Sequence, residues 1–229
     1  MECEYTFLLP CLNEEKTIKF VIDEIKAYIL SNNLNAEILV ADNNSIDNSK
    51  QIAIENGARV INVEKKGYGS TLIEGIKNAY GKYCFMGDSD GSYDFSHLDE
   101  FIKNLKKGYD LVVGNRFKGG IQKGAMPLNH KIGVKFLTGF ANLLFHTCIK
   151  DFHCGLRAYN TSKIRALNLN CEGMEFASEM IIKAKLGNLK LIEVPTILRK
   201  DLRNAKSHLR TIRDGFRHLV LILKLYKIK

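Results

Sequence analysis

The chain predicts an α/β fold with a mainly parallel central sheet and helices on both faces, and three observations carry that prediction. Short apolar runs recur through the first half. Stretches with helical apolar spacing separate them, and each run ends in a polar or glycine-containing cluster. The first run is "EYTFLL" (4–9). After it Ile18, Val21, Ile22, Ile25, Tyr28 and Ile29 fall on one helical face. "AEILVAD" (36–42), "ARVINV" (58–63), "KYCFMGD" (82–88) and "YDLVVGN" (109–115) read as further buried strands, with helices expected at 46–56, 70–80 and 96–107. In the second half, helices are expected at 126–147 and 174–187, and "LKLIEVP" (189–195) reads as a late strand. From 206 onward Leu209, Ile212, Phe216, Leu219 and Leu223 recur at steps of three and four, interleaved with Arg210, Arg213, Arg217 and Lys224, as in a basic amphipathic helix.

At 229 residues the chain is long enough for one sizeable core. We divide it into a body at 1–205, itself read as halves at 1–116 and 117–205, and the helix at 206–229. The net charge is +9, and residues 196–229 hold 10 Lys and Arg against 2 Asp and Glu, so the basic character belongs to the tail. A basic tail on a nearly neutral body points to an anionic surface or phosphate partner and away from nucleic acid. No run approaches the roughly eighteen apolar residues that a spanning helix needs. The opening "MECEYTFLLPCLNEE" lacks a basic leader, so a cytoplasmic chain is expected. The six cysteines show no C-x-x-C spacing and are expected as reduced thiols. His146, Cys148, His153 and Cys154 offer zinc-type ligands, but their spacing fits no common zinc pattern, and packing is the expected role.

Ligands of parallel α/β sheets bind beyond the carboxyl ends of the strands. Five polar clusters fall there: Asn13 and Glu14, Asp42 to Asp47, Lys65 to Gly69, Asp88 with Asp90, and Asn115 with Arg116. Asp88-Ser89-Asp90 supplies two hard oxygen ligands suited to Mg²⁺ or Mn²⁺, with coordination left over for diphosphate oxygens. Asp94 lies beside this pair but suits a helix N-terminal cap. "KKGYGSTLIEG" lacks the lysine of a P-loop, which excludes that phosphate cradle.

In order over about residues 4–218, "LLPCLNEEKTI", "VADNNSIDNS", "GYGSTLIEGIKNAYGKYCFMGDSDGSYDF", "GNRF" and "DFHCGLRAY" resemble the successive motifs of family 2 glycosyltransferases with the GT-A fold. The nearest likeness is to the dolichol-phosphate mannose synthase-like branch, which includes bacterial polyprenyl-phosphate sugar transferases. The resemblance implies a nucleotide diphosphate-sugar donor, a divalent metal and an inverting displacement. It also implies that Pro10, Asn13 and Glu14 lie along the nucleotide, that Asp42 contacts base or ribose, and that Gly69 and Ser89 join the donor site. Asn43 stands where the family often has a second acid. Asp88 and Asp90 match the metal and diphosphate motif.

The resemblance makes 1–116 the nucleotide-binding half and 117–205 the acceptor half. Arg116 matches a basic residue near the reacting phosphates, Arg157 is expected among the catalytic residues, and Arg199, Lys200 and Arg203 match a basic loop that could close over the phosphates. Asp151 matches the candidate base. A hydroxyl acceptor needs such a base, whereas a lipid phosphate is already ionised, and then Asp151 would orient Arg157 or the metal, or serve as a structural partner of Arg157. Glu175 and Glu179, one helical turn apart, either face the acceptor or form a salt-bridged surface. A polyprenyl phosphate acceptor at the inner face of the cell membrane is the expectation. The alternatives are a soluble or glycan hydroxyl acceptor, or nucleotide-sugar binding without turnover. The tail helix either lies on anionic lipid or packs on the domain or on a second subunit in a homo-oligomer.

Overall fold

The computed structural model describes residues 3–203 and 211–228, apart from the side chains of 211 and 212. The positions of Leu209 and Arg210, the side chain of Ile212 and the boundary between 205 and 206 lie outside the described residues. Among the described residues seven strands form one sheet: β1 (Tyr5–Cys11), β2 (Ala36–Asp42), β3 (Arg59–Asn62), β4 (Tyr83–Met86), β5 (Leu111–Asn115), β6 (Arg157–Asn160) and β7 (Leu191–Pro195), in the order β3-β2-β1-β4-β6-β5-β7. β1 is a nearly unbroken apolar run because it is buried on both faces, pairing parallel with β2 and β4. Tyr5 pairs with Ala36 on one side and Tyr83 on the other, and Phe7 stacks on Phe85 at 5.1 Å between ring centroids. β6 is the strand that the sequence pattern does not announce. It has four residues, "RAYN", and lies antiparallel between β4 and β5.

The helices are α1 (Ile18–Ser31), α2 (Ser49–Glu55), α3 (Tyr68–Asn78), α4 (Asp99–Lys106), α5 (Arg116–Gly119), α6 (Leu128–Phe145), α7 (Thr161–Arg165), α8 (Phe176–Leu186) and α9 (Thr211–Lys227). The short α5 and α7 escape helical periodicity, which needs more than one turn to register. α1 buries Ile18, Val21, Ile22, Ile25 and Tyr28, the face read from the sequence. α3 is preceded by Gly67, whose φ of 131° is open to glycine and strained for other residues. At the second residue of α3, a β-carbon on Gly69 would lie 2.0 Å from the Cys171 carbonyl oxygen, so the helix start packs directly on the 171–173 backbone.

α6 and α9 each bury one side and leave apolar residues on the other. Phe145 and Ala141 of α6 face the core, but Leu128, Ile132, Phe136 and Leu143 point outward, Leu143 with 70% of its surface exposed. On α9 the buried side is His218, Leu221, Ile222 and Leu225, set against α6 and α8. The expected stripe lies elsewhere on the helix: Phe216 and Leu223 are exposed and Leu219 is half-buried. The helix is apolar on two sides, and position-counting alone picked the outer one. No helix among the described residues is long and apolar enough to cross a membrane.

Candidate active site

The carboxyl ends of the parallel strands open into a cleft of about 760 Å³, with walls that include Pro10 at the end of β1 and Glu14 after it, Asn43 after β2, Gly67 and Tyr68 after β3, Asp88, Ser89 and Asp90 after β4, and Arg116 after β5. All five polar clusters therefore contribute to one cavity. Ser89 Oγ donates to the Pro10 carbonyl at 2.6 Å, and Thr17 Oγ1 lies 2.8 Å from the Ser89 carbonyl and 3.0 Å from Glu14 Oε2, tying the ends of β1 and β4 together.

Over the β2 end, Asp42 Oδ2 accepts from the Ser45 amide, while its buried Oδ1 has no hydrogen-bond partner. A buried carboxylate oxygen left unpaired is costly, and Asp42 lies behind the cleft wall that Asn43 and Asn44 form. Asn43 donates to the Val63 and Lys65 carbonyls, each at 2.9 Å, and its Oδ1 accepts from the Gly67 amide. An aspartate could accept but not donate, so this asparagine organises the loop that leads into α3. Asn13 has a left-handed backbone (φ 57°), and its side chain accepts from the Ile46 amide.

The acids of the cleft floor press on one another. Burial, reinforced by the Asp90 charge, pushes the Asp88 carboxyl up to about 6, against the hydrogen bond from Tyr68 Oη at 2.8 Å. Burial likewise pushes Glu14 up to about 7, although Arg203 opposes it. Arg203 bridges Glu14 Oε1 (3.1 Å) and Asp90 Oδ2 (2.7 Å), and Arg199 pairs with Glu24 and Asp94. Asp94 is not the cap of a helix as expected. Its Oδ1 accepts from the Ser96 amide in the turn before α4 and meets Arg199. Among the described residues no three His, Cys, Asp or Glu side chains converge as a metal cage. A cation bound through Asp88 and Asp90 would complete its shell from phosphate and water, which is how Mg²⁺ commonly binds, so the donor set fits.

Beyond Arg116 the cleft adjoins a second, largely apolar pocket of about 200 Å³ between α6, α8 and α9, whose walls include Val134, Leu137, Met174, Ala177 and His218. Arg116 forms part of both cavity walls. Its Nε and backbone amide donate to Asp151 Oδ2 at 2.8 and 3.0 Å, and its Nη2 donates to Oδ1 at 2.7 Å. Asp151 is fully buried and faces Arg116, so a pairing with Arg157 is not what forms. Arg157 instead donates to the carbonyls of Phe152, Cys154 and Ala177.

Several expected site residues stand back from the cleft. Glu179 is buried on α8, accepting from the Asn170 and Cys171 amides and pairing with Lys183. Glu175 pairs with Arg217. The Lys200 side chain is exposed while its amide donates to Gln122, and Gly69 faces the 171–173 backbone. Of the zinc-type group, His153 packs edge-to-face on His218, Cys154 Sγ turns to the Leu156 carbonyl and Cys148 is exposed, so the four do not converge.

Against this geometry, residues 6–167 match the model of the family described as glycosyl transferase family 2. The chain belongs to glycosyltransferase family 2. Among relatives of this family 2 chain is the low-salt glycan biosynthesis hexosyltransferase Agl6 of Haloferax volcanii, 35% identical over 218 residues, covering 94% of this chain and 52% of the relative. The chain thus spans about half the length of that protein. Glycosyltransferase AglJ of the same organism is 27% identical over 96% of this chain and 70% of its own. In solved structures, glucosyl-3-phosphoglycerate synthase from Mycobacterium tuberculosis, in complex with Mn²⁺, UDP and glucosyl-3-phosphoglycerate, superposes with a TM-score of 0.75 at 21% identity, covering 98% of this chain and 80% of that one. The family 2 domain here has the GT-A fold. Tyr68, Tyr93 and Thr17 were missed as wall or bracing residues. Gly67-Tyr68 was legible as the turn into α3, but no local signal marks Tyr93, which reaches the Gly155 amide across 62 positions.

Proposed function

We propose that this chain moves a hexosyl group from a nucleotide diphosphate-sugar to a polyprenyl phosphate, within the dolichol-phosphate mannose synthase-like branch, working peripherally at the cytoplasmic face of a membrane. The observation that carries this reading is the place of Arg116, held by Asp151 at the junction of the acidic cleft and the apolar pocket. An acceptor with an anionic head and an apolar body matches that junction. Its phosphate is already ionised near neutral pH and needs no base. Both Asp151 oxygens are taken by Arg116, so in this reading Asp151 is a positioning residue.

The donor nucleoside lies over the β1 and β2 ends beside Asn43 and Asn44, and the diphosphate reaches Ser89, Asp88 and Asp90. Mg²⁺ or Mn²⁺ held by Asp88 and Asp90 would offset charge on the departing diphosphate. Arg116 orients the acceptor phosphate. One of its oxygens attacks the anomeric carbon opposite the diphosphate, the bond to the diphosphate oxygen breaks, and the configuration inverts. The outward apolar residues of α6 and α9, among them Phe136, Leu143, Phe216 and Leu223, together with the basic Arg213, Lys224 and Lys227, support contact with an anionic membrane. The names of the relatives agree with hexosyl transfer, and the UDP and Mn²⁺ of the solved neighbour agree with the donor and cation.

The test is a screen of UDP-, GDP- and TDP-sugars on the full chain, with and without polyprenyl phosphate in anionic vesicles, reading nucleotide release and lipid-linked product. Release with at least one donor that depends on the polyprenyl phosphate is expected. Equal release without lipid, with an O-glycoside as product, refutes the acceptor. Donor binding without release in any arm refutes turnover.

A further inference from the structure

The segment 198–203 lies across the cleft, anchored at Leu198 by backbone hydrogen bonds with Gly120 and Gln122 and beyond it by both backbone bonds and charge. The Arg199 amide donates to the Ser92 carbonyl and the Leu202 amide to the Asp90 carbonyl, at 2.8 and 2.9 Å. Two guanidinium groups complete the hold, Arg199 on Glu24 and Asp94 and Arg203 on Glu14 and Asp90. The pose of Arg203 is imperfect. Its Nε is buried without a hydrogen-bond partner, and Asp201 Oδ1 stands 3.8 Å away. A buried donor left unmade opposes much of what its ion pairs contribute.

Asp90 has little left to offer a cation in this arrangement. Oδ1 accepts from the Ser92 amide and Oδ2 from Arg203 Nη2. A divalent ion bound directly to Asp90 would share an oxygen with the guanidinium and place its charge beside a positive group in a partly desolvated cleft. We infer that Arg203 is a built-in substitute for the cation, closing the 198–203 segment over Glu14 and Asp90, and that divalent binding displaces it and opens the segment. This rests on the reading that Asp88 and Asp90 hold the cation. Once displaced, Arg203 is a free guanidinium at the cleft mouth, suited to two oxygens of an incoming diphosphate. Loading the cation therefore exposes the group that recognises the donor.

The experiment uses the full chain, Mn²⁺ alone and no nucleotide. Calorimetry compares Mn²⁺ binding to the wild type, Arg203→Gln and Asp90→Asn, and hydrogen exchange follows the Arg199 and Leu202 amides of the wild type. Arg203→Gln should bind Mn²⁺ about tenfold tighter than the wild type, Asp90→Asn should lose binding, and Mn²⁺ should speed exchange at both amides about tenfold. Equal affinity of the wild type and Arg203→Gln, or exchange that Mn²⁺ leaves unchanged or slows, overturns the substitution while the cation site stands. No Mn²⁺ binding to either protein overturns the cation site and the inference together. Should Arg203→Gln fail to fold, the wild-type exchange decides.

Discussion

Asp151→Asn changes one atom and removes the carboxylate that neutralises Arg116. Three donations converge on that carboxylate, two of them from the guanidinium, and the pair is shielded from water, with Asp151 fully buried and Arg116 nearly so. Removing one member of a buried ion pair costs about 3–5 kcal/mol, because the remaining charge keeps its desolvation penalty. Asparagine retains one acceptor, which places the expected loss near the low end, about 3 kcal/mol. For a domain of this length that lowers the melting temperature by roughly 6–12 °C. The assay is thermal unfolding of the wild type, Asp151→Asn and the double variant Asp151→Leu/Arg116→Met, with transfer rates measured below the lower transition. The double variant should regain part of the stability, since two apolar groups leave no unpaired charge although the residue-116 amide loses its acceptor, and it should remain inactive because Arg116 is gone. The single variant should lose activity mainly through a raised KM for the acceptor. If Asp151→Asn melts within about 1 °C of the wild type and loses only kcat, the positioning role is refuted and Asp151 acts as a base.

Asn43→Asp keeps the acceptor for the Gly67 amide but loses both donations to the Val63 and Lys65 carbonyls, so donor KM should rise about tenfold in steady-state assays. Gly69→Ala sets a β-carbon 2.0 Å from the Cys171 carbonyl oxygen and should lower stability in denaturant titration by about 3 kcal/mol, with donor affinity of the folded protein little changed. His218 is pushed down to about 4 by burial, with Asp214 opposing, so the folded protein favours the neutral ring. The stability this contributes is fully present above the unfolded value of about 6.5 and is lost as pH falls through about 4. The raised Glu14 and Asp88 carboxyls act in the opposite sense over this window, so the check is the difference: between about pH 6.5 and pH 4 the wild type should lose more melting temperature, or gain less, than His218→Gln.

The first half of the fold was legible because buried parallel strands are apolar runs, and each strand end has a local polar signature. The strand expected at 36–42 coincides with β2 (Ala36–Asp42), and α1 buries the face that its spacing marked. β6 was not legible, since four residues that begin with an arginine carry no pattern. They become a strand only when β4 and β5 stand on either side. The acid clusters could be placed on one edge, but their partners could not. Arg203 meets Glu14 across 189 positions and Asp90 across 113.

What the sequence determined by itself is therefore local: alternating strands and helices, the strand-end residues that carry charge and the ordered motifs of the family, all set by spacing along a few turns or pleats. The tertiary structure decided which charges neutralise which. It gave Asp151 to Arg116, turned Glu179 to the 170–171 amides, and faced His218, not Phe216, toward the core. Ion pairing and desolvation depend on distance through space, and chain separation does not encode that distance.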